Sequence, residues 1–187
     1  MIPFKQLWKG KFLSIISPIQ YPYEILNEGS EVIVLPYLIN ENKIIVRSEL
    51  CPPYFCKDNE VKKYFTLLSG MVEENESIED GLMREIQEES GIYDFDLEWY
   101  IKEKELPIWK NSNIRCNLYI LGLTSYDIGK PTGDGTIYEE KSESILMTLE
   151  EMKNIIDYET NYDLIFLMSY YRLQSILSEN LYKEGKL

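Results

Sequence analysis

The chain has 187 residues, 44% of them hydrophobic, which is enough for one well-cored domain with an appendage. It contains no histidine, so histidine triads, histidine general bases and His-containing zinc sites are excluded, and general-base work near neutral pH falls to a carboxylate or to metal-bound water. A net charge of −13 argues against binding a nucleic-acid backbone, and no apolar run approaches the eighteen or so residues that a membrane-spanning helix needs.

Residues 1–30 read as an N-terminal extension, a candidate homodimer element, in which FLSIIS predicts a short strand and YPYEIL follows it. The start lacks a basic segment followed by a clean apolar run and a small-residue cleavage site, so a cytoplasmic location is expected. The main domain is expected over 31–187. EVIVLPYLI (31–39) and KIIVRSEL (43–50) are rich in β-branched residues. Separated by Asn40, Glu41 and Asn42, they predict a hairpin, which Cys51, Pro52 and Pro53 stop. YFTLLSG (64–70) predicts one short strand running into a helix. Ser77 is placed to cap that helix, with Asp80 three residues on, and Gly91 to end it. Between them Ile78, Leu82 and Ile86, with Met83 at the margin, make an apolar stripe at helical spacing.

Two long strands are predicted next, DLEWYIKEKEL (96–106) and IRCNLYILGLT (114–124), joined across Pro107. Residues 125–142 form a polar segment with three glycines, longer than most loops without a function. ESILMTL (143–149) predicts a last strand, followed by a short helix near 150–157 and an amphipathic helix over 161–183. Tyr170 and Tyr171 in that helix are read as packing residues. Strands interleaved with a few helices point to an α/β sandwich around a mixed sheet. Cys51, Cys56 and Cys116 are an odd count at no zinc-like spacing, and are read as reduced thiols.

The most informative window is GMVEENESIEDGLMREIQEESGI (70–92). Glu85, Glu88 and Glu89 lie three or four residues apart and share one helix face, where like charges repel by a few tenths of a kcal/mol per pair. A hard divalent cation explains such a cluster: magnesium takes oxygen ligands and joins carboxylates to substrate phosphates. Arg84 beside the cluster can orient one acid by a bidentate hydrogen bond. Arginine is scarce, and Arg47 and Arg115 are the leading candidates for gripping phosphate, with Lys62 and Lys63 behind them.

The window fits the pattern G-x5-E-x7-R-E-U-x-E-E-x-G-U, with U a bulky aliphatic residue, at Gly70, Glu76, Arg84, Glu85, Ile86, Glu88, Glu89, Gly91 and Ile92. It resembles the signature of the Nudix hydrolases. The resemblance implies a Nudix-type α/β/α sandwich around a mixed β-sheet. It implies metal-dependent attack of water on a nucleoside diphosphate linked to another group, with Mg2+ or Mn2+ as cofactor. It assigns Glu85 and Glu89 as metal ligands, Glu88 as a further ligand or a support behind them, and the carbonyl of Ser69 as a metal-binding group. Arg84 becomes the orienting residue and Glu76 its partner.

LLSGMVEENESIEDGLMREIQEESGI is further similar to the ADP-ribose pyrophosphatases, and Pro107, fifteen residues beyond Ile92, marks that subfamily and is expected to contact substrate. The resemblance implies a glutamate acting as base in a late loop, a place that Glu140 or Glu143 occupies ahead of ILMTL. Three positions depart from the subfamily: Thr66 stands where an acid is common, Leu50 near an expected arginine, and Asn113 or Ile114 near an expected glutamate. The expected substrate is a small nucleotide, ADP-ribose or a related nucleotide sugar. Nucleoside triphosphates, dinucleotides and capped RNA are the alternatives, and a non-catalytic nucleotide sensor stands behind them.

Overall fold

The computed structural model describes residues 3–11, 13–20, 23–50, 62–133, 141–179 and 183–184. The first elements form a sheet of their own. β1 (Phe4–Lys9), β2 (Ser14–Pro18) and β3 (Ile25–Asn27) pair antiparallel in that order, where the sequence predicts a single strand. β1 was hidden because a bulge between Gln6 and Trp8 breaks its alternation and its whole length is exposed.

The main sheet contains β4 (Ser30–Leu38), β5 (Lys43–Leu50), β6 (Lys63–Thr66), β7 (Leu68–Met71), β8 (Ile92–Leu106), β9 (Arg115–Ile128), β10 (Glu143–Thr148) and β11 (Lys183–Glu184). Its order is β10-β5-β4-β9-β8-β11, with β6 added to β5 and β7 to β4. β4 and β9 run parallel and the other pairs antiparallel, so the sheet is mixed as expected. On one face lie α1 (Ile78–Glu85) and a π-helical turn that prolongs it (Ile86–Ser90). Leu82 and Ile86 of this segment pack on Val32, Val34, Tyr119 and Leu121. On the other face lie α2 (Leu149–Tyr158) and α3 (Leu164–Glu179), whose Met152, Phe166, Tyr170, Leu173 and Ile176 pack on Ile33, Leu35, Ile44 and Ile120. The chain is an α/β/α sandwich around a mixed sheet, as expected, and Tyr170 serves packing as read. Among the described residues no helix is long and apolar enough to cross a membrane.

Four local differences shape the site. The β4–β5 hairpin pairs only at its tip, Tyr37 with Ile44 and Leu38 with Lys43. Beyond that the strands splay, and what was predicted as one strand over 64–70 breaks at fully buried Leu67 so that β6 pairs β5 and β7 pairs β4. Ser69 and Gly70 thereby sit in the mouth of the splay. The segment 125–142 is shorter as a loop than predicted, because Ser125–Ile128 continue β9 against the start of β8. The last helix spans Leu164–Glu179, starting later than predicted, and Lys183–Glu184 pair with the outer edge of β8 as β11. Met83 is 42% exposed and lies outside the apolar stripe.

Candidate active site

α1 is positioned by its ends. The Ser77 side chain caps the helix by accepting the Asp80 N–H at 3.0 Å, as the spacing predicts. Gly91 ends the π turn at φ 79°, where a side chain is strained and a Cβ would also stand 2.5 Å from the Gly129 carbonyl. Gly70 is required by close approach: a Cβ there would lie 1.8 Å from Glu85 Oε1. The Glu85 carboxylate is therefore laid directly on the backbone of β7.

Arg84 is the hub of the acids. Its Nε and Nη2 donate to the two oxygens of Glu76, at 2.9 and 3.1 Å, a bidentate pair. Nη1 donates to Glu85 at 2.5 Å and Glu88 at 3.1 Å, and Nη2 also donates to the Met71 carbonyl at 2.9 Å. The hydrogen bonds from Arg84 hold Glu76 below the usual carboxylate range, and those same acids raise the arginine further.

Glu89 has a different environment. It is 4% exposed, and burial pushes its carboxyl up to about 8 despite the opposing charge of Arg47. One carboxylate oxygen accepts the Ser69 N–H at 2.8 Å, and the other lies 3.3 Å from Arg47 Nη2. Arg47 is just as buried, in the middle of β5. Ser69, Glu76, Arg84, Glu85, Glu88, Glu89 and Arg47 are thus linked around one helix and its flanks.

A cavity of about 450 Å3 opens beside this cluster, lined by Arg47, Glu88, Glu89, the segment Lys130 to Gly133, and Ser142, Glu143 and Ser144. Glu143 sits exposed on its rim and pairs with Lys63 at 2.8 Å. Glu140, with Cys51 and Cys56, lies outside the described residues. Cys116 is a free, buried thiol whose Sγ donates to Glu31 at 2.9 Å, and burial raises it.

Two expected substrate contacts are not brought to this cavity. Arg115 begins β9, exposed, with its guanidinium donating to the carbonyls of Asn113 and Ile114. Pro107 starts the β8–β9 loop, which is fastened to β3 through Leu26 N–H to Asn111 and Asn113 N–H to Leu26. Conversely, the cavity uses Lys130, Thr132, Ser142 and Ser144, which sequence reasoning passed over. The only signal was the proline and glycines around Lys130, which mark a shaped turn without saying what it faces.

The donor set fits a hard divalent cation in kind: carboxylate oxygens of Glu85, Glu88 and Glu89 beside the backbone of Ser69. Among the described residues no three acids converge as a finished cage, because Glu85 and Glu88 turn to Arg84 while Glu89 turns to Ser69 and Arg47.

A family model described as the NUDIX domain matches residues 32–167. No curated protein matches the chain in sequence at a significant level. Among solved structures, one described as "Crystal structure of ADP compounds hydrolase" shares the fold with a TM-score of 0.66 at 14% identity, over 96% of this chain and 94% of that one. With the family model spanning most of the chain, and every residue of the 70–92 signature in place on one helix and its flanks, the chain belongs to the Nudix hydrolases, a family that generally uses divalent metal cations.

Proposed function

We propose that the chain is a metal-dependent pyrophosphohydrolase of a nucleoside diphosphate linked to a second moiety, with ADP-ribose or a related nucleotide sugar as substrate. The observation that carries this reading is the gathering of Glu85, Glu88 and Glu89 around Arg84 and Ser69, next to a cavity of nucleotide-fragment size. The likeness in fold to an ADP compounds hydrolase supports the substrate class.

Glu85, Glu88, Glu89 and the Ser69 carbonyl would hold Mg2+ or Mn2+. When bound, the cation supplies polarisation of the phosphoryl oxygens and neutralises charge on the leaving group. The chain's own residues do the rest. Arg84 aims Glu85 and Glu88 by donating to both, as a charge that never releases its proton near neutral pH. Glu143, which lines the cavity, would take a proton from the attacking water at its carboxylate. Lys130, which lines the cavity, and Lys63, paired with Glu143 on its rim, offset part of the repulsion between a chain of charge −13 and an anionic substrate. A reducing, cytoplasmic setting suits this reading.

The test is a product assay against a panel of nucleotides with saturating Mg2+. ADP-ribose is expected to give AMP and ribose 5-phosphate at the highest kcat/KM of the panel. Preference for a nucleoside triphosphate, with release of pyrophosphate, would overturn the substrate assignment and leave the hydrolase reading standing. Binding without turnover of any panel member would overturn both.

A further inference from the structure

We infer that Arg47 is a positioning residue that clamps Glu89 to the strand bearing Glu143, rather than a contact for substrate phosphate. The inference rests on the metal-binding role proposed for Glu89.

The carbonyls at the end of a helix lack partners within it, and a π turn widens that end further. Here those carbonyls are met from outside. The Glu88 carbonyl accepts the N–H groups of Thr132 and Gly133, each at 3.1 Å. The Glu89 carbonyl accepts Arg47 Nη1 at 3.2 Å and Ser144 Oγ at 2.7 Å. Arg47 Nη2 reaches both the Glu89 carboxylate, at 3.3 Å, and Ser142 Oγ, at 2.6 Å. One guanidinium therefore grips Glu89 by backbone and side chain together and ties it to the residue before Glu143. Ser144, the residue after Glu143, grips the same carbonyl. Candidate metal ligand and candidate base are held in one register by hydrogen bonds that involve neither acid's working oxygens alone.

A phosphate-reading arginine keeps its paired Nη donors open to the ligand. In Arg47 both Nη atoms are committed to protein, and Nε, which has no hydrogen-bond partner, is itself buried. A lysine or a short donor would reach one of these groups at a time, whereas the planar fork spans carbonyl, carboxylate and hydroxyl at once. Groups that orient a metal ligand from behind typically change metal affinity or activity by ~10–100-fold when removed.

The test is Mn2+ binding to the nucleotide-free protein, followed by the electron paramagnetic resonance signal of free Mn2+, with kcat and KM measured beside it. Arg47→Met is expected to weaken Mn2+ binding ~10–100-fold and to lower kcat, with KM at saturating metal close to wild type. Ser144→Ala is expected to weaken it less, since Arg47 still holds the shared carbonyl. Unchanged or tighter Mn2+ binding in Arg47→Met, with a raised KM, would overturn the clamp and return Arg47 to the phosphates. If Arg47→Met does not fold by circular dichroism, Arg47→Lys decides instead. It keeps the charge but reaches one partner at a time, so weakened Mn2+ binding supports the clamp and wild-type binding overturns it. Glu89→Gln separates the two layers. Loss of Mn2+ in Glu89→Gln but not in the Arg47 variants sinks the clamp alone, whereas wild-type Mn2+ binding in Glu89→Gln sinks the ligand assignment and the clamp with it.

Discussion

The acid helix is served by two arginines that work on opposite sides of it and in different ways. Arg84 is a local hub: its partners Glu76, Met71, Glu85 and Glu88 all lie within thirteen residues of it, and its side chain is 25% exposed. Arg47 is remote: its partners Glu89 and Ser142 stand 42 and 95 residues away, and its side chain is 5% exposed. The hub follows from helical spacing, and of its acids Glu76 and Glu88 stay partly exposed while Glu85 is buried. The clamp follows from the register of β5 with β10, where Arg47 faces Ser144. The comparison separates two needs of a site built from carboxylates. Like charges must be offset and aimed, which a local arginine does. One of them must also be fixed to the scaffold, which takes a residue from the core of the sheet.

The hub is the side that should break most visibly. Arg84→Ala frees three carboxylates at once, and a fall in kcat of ~10–100-fold is expected from losing the group that orients them. Steady-state kinetics at saturating Mg2+ checks this, and a change confined to KM would place Arg84 on the substrate instead. On the clamped side, Glu143→Gln is expected to lower kcat at least about tenfold, the lower reach of general-base catalysis, with KM little moved. A smaller loss would leave the base to Glu140 or to a group outside the described residues.

The smallest expected effect is on stability, and it tells the two sides apart by pH. Burial holds Glu89 at about 8 in the folded chain against an ordinary value of 4.5. A carboxyl raised in this way adds stability that is complete below its unfolded pKa and is lost as pH rises through the folded one. Metal-free protein should therefore lose melting temperature between about pH 4.5 and 8, and Glu89→Gln should flatten that slope. Glu31 and Asp163, also raised by burial, contribute the same sign to both proteins, so the difference isolates Glu89. Glu76, held low by Arg84, contributes with the opposite sign and at lower pH. Thermal melts in EDTA with the same slope for both proteins would contradict the buried carboxyl described for Glu89.

The same contrast explains what the sequence made legible. The box could be read because its chemistry is local: cap, stripe, glycines, arginine and acids occupy one window, and helix geometry places them without further information. The sandwich followed from strands alternating with helices. What stayed hidden depends on pairing between distant segments. Nothing in YFTLLSG shows that Leu67 breaks it into two strands with different neighbours. Arg47 reads as a strand cation facing either way until the register with β10 sets it against Glu89. Thr66 reads as the loss of an acid, yet its hydroxyl donates at 2.5 Å to Asp163, which comes from the start of α3. Arg115 reads as a scarce strand arginine and Pro107 fits a subfamily pattern, yet neither lines the cavity, and the β8–β9 loop that follows Pro107 is fastened to β3.

The most direct test of the account is turnover of ADP-ribose with Mg2+ by wild type, Glu85→Gln, Glu88→Gln and Glu89→Gln, each with an EDTA control. Wild type is expected to hydrolyse it and EDTA to stop the reaction. Glu89→Gln should be slower by roughly 10²–10⁴-fold while keeping its circular dichroism spectrum, as the loss of about 3–5 kcal/mol of transition-state stabilisation requires. Wild-type rates in all three variants would contradict the central claim that these helix acids carry the chemistry.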